Sequence, residues 1–157
     1  MPTVSASAII AATAEEAFSF IDDYRNIPFL QPHFTSAKLA SDKEKGLGAV
    51  VALEGRFHGI PMRVRNRIIA YSFPTRLVSI SEGTVLSRST WALEQVSADP
   101  PATRVTLTLD YKFHDEVGGL LWGVGSVLWS FFNKEVQGMT DESLRRLHDF
   151  FADKAAS

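Results

Sequence analysis

The stretch TRVTLTLDYKF, residues 103–113, decides the fold. Val105, Leu107, Leu109, Tyr111 and Phe113 alternate with Thr106, Thr108, Asp110 and Lys112. A period of two makes a strand with one buried face and one wet face, as an antiparallel sheet requires. Upstream lie five further runs of this texture, at 35–40, 49–57, 62–71, 75–81 and 85–96. Turn residues separate them: 42–48, Gly59-Ile60-Pro61, Phe73-Pro74, Glu82-Gly83 and 98–102. Connections this short predict an antiparallel meander.

The chain begins with another strand-like run at 4–10. Thr13-Ala14-Glu15-Glu16 follows and reads as a capping box that starts a helix. Ala14, Ala17, Phe18 and Ile21 give this helix one apolar face. Residues 27–30 form a second short helical turn, bounded by Pro28 and Pro32. After Asp115 the pattern is helical to the end. Residues 120–132 are apolar on nearly every side, whereas Val136, Met139, Leu144, Leu147, Phe150 and Phe151 mark an ordinary amphipathic helix. The first half therefore needs enclosure by the sheet, a ligand, a partner or a membrane surface.

The expected fold class is α+β. A curved antiparallel sheet of about seven strands surrounds a long C-terminal helix, with two short helices after the first strand, in a single domain over residues 1–157.

Composition excludes several functions. A net charge of -2 argues against a nucleic-acid partner. The chain has no cysteine, which removes disulfides, thiolate metal sites and cysteine nucleophiles. No run reaches the roughly 20 apolar residues of a membrane span, and the N-terminus lacks a signal-peptide pattern, so the expected location is cytoplasmic. A homodimer stays open.

Several stretches carry a resemblance: IIAATAEEAFSFIDDYRNIPFLQP at 9–32, STWALEQV at 89–96 leading to TRVTLTLDYKF, and GGLLWGVG at 118–125. They resemble the START-like or helix-grip superfamily, also called SRPBCC, which includes polyketide cyclases/dehydrases and lipid-transport proteins. The resemblance spans nearly the whole chain. It implies a cavity between the sheet and the C-terminal helix that takes apolar or aromatic ligands, and it does not select one activity.

Chemical motifs are sparse. His33, His58, His114 and His148 form no metal-ligand spacing, and no metal or cofactor is expected. His148 reads as a surface residue, while His58 and His114 stand at strand ends near turns. Glu54 faces water unless a bulge at Gly55 reverses its strand. Arg63, Arg65 and Arg67 share a face that reads as the solvated outside of the sheet, with an anionic-ligand patch as the alternative. Of Ser87 and Arg88 only one points inward, and an outward Arg88 continues that face. Asn66 is the polar residue on the inward face of its strand, and its partner is a ligand oxygen, Ser79 or a water.

The leading expectation is a module that binds or transports a hydrophobic small molecule: a lipid, a polyketide or a quinone-like ring. The sheet side of its wall is expected to be Phe57, Met62, Val64, Asn66, Ile80, Trp91, Leu107 and Tyr111. The helix side is expected to be Leu121, Trp122, Val124, Leu128, Trp129 and Phe132. Plain core packing is the alternative for each of them. A second expectation is a cyclase or dehydratase using the same cavity, with Asn66, Tyr111, His58 and Arg88 as candidates for positioned polar chemistry. A third is docking on a membrane surface or partner through the apolar start of the last helix.

Overall fold

The computed structural model describes the backbone of residues 2–113 and 126–157, and the side chains of 2–112 and 131–157. Its strands are β1 Thr3–Ile10, β2 Phe34–Leu39, β3 Val50–Phe57, β4 Ile60–Ser72, β5 Arg76–Gly83, β6 Val85–Ala98 and β7 Pro101–Phe113. They form one antiparallel sheet in the order β1-β7-β6-β5-β4-β3-β2. The meander runs from β2 to β7, and β1 closes beside β7. Every expected strand is present, with ends displaced by only a few residues. Leu107 of β7 sits between Trp91 of β6 and Ala6 of β1, as the alternation of 103–113 requires.

Helix α1 spans Ala14–Asp22, and Thr13 caps it: the Glu16 amide donates to the Thr13 hydroxyl at 3.2 Å, and the Thr13 amide donates to the Glu16 carboxylate at 3.4 Å. A 3₁₀ turn, Tyr24–Asn26, then leads into α2, Ile27–Leu30. Asp23 starts that turn by accepting from the Arg25 amide at 3.1 Å. The chain resumes as α3, Ser126–Ala156, whose 31 residues extend about 46 Å at about 1.5 Å per residue.

Helix α3 packs beside β1 and β7 and against α2. Its buried residues among the described side chains, Phe132, Val136, Thr140, Ser143, Leu144, Leu147 and Phe151, follow helical spacing. The two buried hydroxyls among its described side chains are satisfied: Thr140 donates to the Val136 carbonyl at 2.8 Å and Ser143 to the Leu30 carbonyl at 2.7 Å. The second bond ties α3 to α2. Burial of a side chain as large as Phe18 or Leu147, both fully enclosed, contributes about 1.5–3 kcal/mol each.

Two backbone details set the geometry of one end. The β3–β4 hairpin turns at His58 and Gly59, both at positive φ (49° and 79°), between the paired Phe57 and Ile60. This two-residue turn needs positive φ at both positions. It lies one residue earlier than the sequence pattern suggests, so Ile60 and Pro61 join β4. The register irregularity between β2 and β3 lies in β2, between Phe34 and Ser36, and not at Gly55. Glu54 therefore points outward, 3.9 Å from exposed Arg63. Gly55 has a separate role: a Cβ there would stand 1.8 Å from the His33 carbonyl oxygen, so only glycine admits the chain that carries His33.

The interior divides into two apolar clusters. The first joins Ile10, Phe18, Ile21, Leu77, Trp91, Leu93, Val105, Leu107, Leu147 and Phe151. The second joins Val4, Phe34, Val51, Leu53, Phe57, Met62, Val64, Val85, Tyr111, Phe132 and Val136.

Candidate functional site: a serine-floored cavity between sheet and helix

Two cross-strand rows of small polar side chains line a cavity in the concave face of the sheet. In the first row Asn66 of β4 pairs with Ser81 of β5, Ser81 with Ser87 of β6, and Ser87 with Tyr111 of β7. In the second row Ile68 pairs with Ser79, Ser79 with Ser89, and Ser89 with Leu109. Serine is far smaller than the leucines and aromatics on either side. The floor recedes there, and a cavity of about 100 Å³ remains. Its polar lining includes Asn66, the four serines, Tyr111, Gln31 and His33, and its apolar lining includes Ile27, Phe34, Leu53, Phe57, Met62, Val85, Leu109, Val136 and Met139.

Most of the floor's polar groups are paired. Ser79 and Ser89 share a hydrogen bond of 2.9 Å. The Ser81 hydroxyl donates to Asn66 Oδ1 at 3.0 Å. The partner of Asn66 is thus Ser81 and not Ser79, because the register sets Ser79 opposite Ile68. The Tyr111 hydroxyl donates to Asn133 Oδ1 of α3 at 3.0 Å, joining sheet to helix. Burial pushes the Tyr111 hydroxyl pKa upward, so it stays a neutral donor.

His33 differs. Its ring packs against Phe34 at 4.2 Å, its Nδ1 is sealed from solvent, and that nitrogen has no hydrogen-bond partner among the described residues. Burial lowers its pKa to about 4, so the imidazole is neutral at physiological pH. Two surface grooves also reach His33. One runs past Glu54 and Arg63, the other past His58, Glu135 and Glu142. His33 therefore stands where the interior meets the surface.

Of the residues expected on the wall, Phe57, Met62, Asn66 and Tyr111 line the cavity. Val64 is buried in the second apolar cluster, and Trp91 and Leu107 lie in the first. Phe132 packs on Phe57 with ring centroids 5.8 Å apart. Ile80 is a correction. It faces the outside of the sheet beside Leu86, Arg88 and Asp110, because Leu77, Ser79 and Ser81 take the inward positions of β5. Apolarity alone put Ile80 inside, whereas the parity of its strand puts it outside. Leu121, Trp122 and Val124 lie outside the described residues, as do the side chains of Leu128 and Trp129 and the whole of His114.

Two of the polar candidates also move away from the cavity. Arg88 is outward, paired across the ladder with Asp110, while Ser87 points in. His58 sits at the hairpin tip, 3.1 Å from Glu135 Oε2 of α3, with about two-fifths of each side chain exposed. His148 is a surface residue beside Asp149. Sequence reasoning missed His33 as a wall residue and the serine floor as a set: it named Ser79 only as a partner for Asn66 and Ser87 only as the alternative to an inward Arg88, and it did not reach Ser81 or Ser89. The signal was present as serine at two successive inward positions, two residues apart, on each of two adjacent strands. Among the described residues, no cluster of three or more His, Asp or Glu is arranged to hold a metal, and no helix is long and apolar enough to cross a membrane.

No curated protein matches the sequence significantly. The fold is similar to that of TTHA0849 from Thermus thermophilus, at 21% identity over 99% of both chains with a TM-score of 0.76. It is similar to the Zhui aromatase/cyclase from Streptomyces sp. R1128, at 16% identity over 98% of this chain and 95% of that one, TM-score 0.70. It also matches half of the di-domain ARO/CYC protein BexL, at 14% identity over 96% of this chain and 50% of that one, TM-score 0.69. At these identities the likeness is one of fold. A family model described as polyketide cyclase / dehydrase and lipid transport matches residues 1–149. With the seven-stranded sheet, the long C-terminal helix and the cavity between them, this match establishes that the chain belongs to the polyketide cyclase/dehydrase and lipid transport family of helix-grip proteins.

Proposed function

We propose that the protein binds a small, largely apolar molecule reversibly in the cavity between sheet and α3. The observation that supports this reading is the receding serine floor inside an otherwise close-packed interior. Protein cores are packed to crystal-like density, so a persistent void of about 100 Å³ with convergent polar groups has the character of a binding site. That volume is below the about 150 Å³ that encloses benzene in an engineered cavity. Even a single-ring occupant must therefore displace a wall or extend through the mouth.

The enzyme reading is favoured by one observation, the neutral imidazole of His33 on the cavity wall. A cyclisation or dehydration needs a base beside an acidified C–H of the substrate. A pKa of about 4 keeps His33 deprotonated but makes it a feeble base at neutral pH. Binding is therefore the stronger reading of the same residues.

Native mass spectrometry of gently purified protein tests the proposal. The expected result is one small molecule per chain, released on unfolding. A ligand-free spectrum, together with no saturable uptake of toluene or p-cresol, overturns it.

A further inference from the structure

We propose that the cross-strand row Asn66–Ser81–Ser87–Tyr111 is the specificity determinant of the cavity, selecting a ring that carries a hydroxyl or keto oxygen over a plain hydrocarbon. The inference rests on the binding reading above and names the ligand chemistry of that site.

The row is continuous. Its four residues are direct partners in neighbouring ladders, and at about 4.8 Å per strand it crosses roughly 14 Å of sheet. It separates apolar neighbours: the next inward residues include Val64 and Val85 on one side, and Leu77, Trp91 and Leu107 lie beyond Ser79 and Ser89 on the other. A cavity serving only hydrocarbon gains nothing from such a row, because unsatisfied polar groups raise the cost of an apolar occupant.

The row is also not self-sufficient. Ser81 uses its proton on Asn66 Oδ1, which leaves the Asn66 amide N–H groups without a partner among the described residues. The Ser87 hydroxyl likewise has no hydrogen bond to the described residues, although it stands between Ser81 and Tyr111 and lines the cavity. Asn66 and Ser87 thus offer hydrogen-bonding capacity from opposite sides of Ser81. A ligand hydroxyl is donor and acceptor at once, so it satisfies both. The second row offers less, because Ser79 and Ser89 are occupied with each other.

The test compares p-cresol with toluene, which differ by one hydroxyl. Affinities are measured by titration calorimetry on the full chain, for the wild type and for the Ser87→Ala and Asn66→Leu variants. The expected wild-type preference for p-cresol is about fivefold, the factor supplied by one net hydrogen bond, and it falls toward one in each variant. Ser87→Ala removes a single oxygen and no backbone bond, so it carries the test where Asn66→Leu does not fold. Equal wild-type affinities overturn the inference and leave the binding reading intact, as does a preference that survives in Ser87→Ala. Failure of both probes to bind removes both.

Discussion

The Ser81 hydroxyl donates to Asn66 Oδ1 at 3.0 Å, between residues that face each other across β5 and β4. One row away, Ser79 and Ser89 make the equivalent pair across β5 and β6. The cavity floor is thus built from side chains that neutralise one another across strands. Its small size and its partial polar satisfaction come from the same serines, so stability and binding can be separated by substituting them.

Ser79 and Ser89 give the first prediction. Replacing one alone leaves its partner buried without a bond, and each single valine variant is expected to cost about 1 kcal/mol. Replacing both removes the need for the bond and adds buried methyl groups. The Ser79→Val/Ser89→Val double variant is therefore expected to equal or exceed the wild type by about 1 kcal/mol. It is also expected to lose ligand uptake, because it fills the floor. Denaturant melts and a toluene titration check this. Additive destabilisation by the two valines would show that the pair does not act as a unit.

Gly55 gives the second. A methyl group there meets the His33 carbonyl oxygen at 1.8 Å, and backbone cannot swing aside as a flexible side chain can. Gly55→Ala is expected to cost about 3 kcal/mol or more, a size reserved for overpacking and backbone strain. Its urea midpoint reads the effect. A loss under about 1 kcal/mol would mean that β2 shifts freely past β3.

Tyr71 and Asp22 give the third. The Tyr71 hydroxyl donates to Asp22 Oδ2 at 2.7 Å, and Asp22 Oδ1 is buried with no partner among the described residues. Burial and the adjacent carboxylate push the Tyr71 pKa up to about 12. Tyr71→Phe strips the carboxylate of this bond and is expected to cost about 2–3 kcal/mol. Asp22→Asn in the same background is expected to recover part of that loss, since a neutral amide is cheaper to bury. A double-mutant cycle measures the coupling, and additive effects would rule it out.

The sheet, the capping box and the helix were legible because they depend on periodicity, and periodicity survives without a partner strand in view. The wall of the cavity was less so. The sequence suggests that bulky residues such as Ile80, Trp91 and Leu107 make the pocket. In the structure those residues pack or face outward, and the void comes from serines. Which side of a strand faces inward was readable for β7, where every second residue is apolar. It was not readable for β5, where Val78 and Ile80 flank Ser79 and only the register against Tyr71 and Trp91 settles the parity. His33 was invisible for another reason. Its burial follows from the close crossing at Gly55, a long-range contact that leaves no local pattern.

His33 also gives the last prediction, a dependence of stability on pH. Its folded pKa is about 4, and an unfolded histidine titrates near 6.5. Between those values the unfolded chain binds the proton and the folded chain does not, so stability rises with pH across that window. Put the other way, acidification from pH 7 to pH 4 is expected to remove up to about 3 kcal/mol through this residue, from the difference between the two pKa values. Carboxylates titrate in the lower part of the same range. Glu142 adds to the loss at the acid end, because hydrogen bonds from Arg145 and Arg146 hold its folded pKa at about 2 and only the unfolded chain takes up its proton as the pH approaches 4. The comparison that isolates His33 is the difference between the wild type and His33→Gln, which has no ionisable group. Chemical melts at pH 7, 6, 5 and 4 are expected to show the wild type losing stability faster than the variant, with most of the divergence below pH 6.5. Parallel curves would mean that the His33 ring reaches water when protonated, and the sealed environment assigned to Nδ1 would then be wrong.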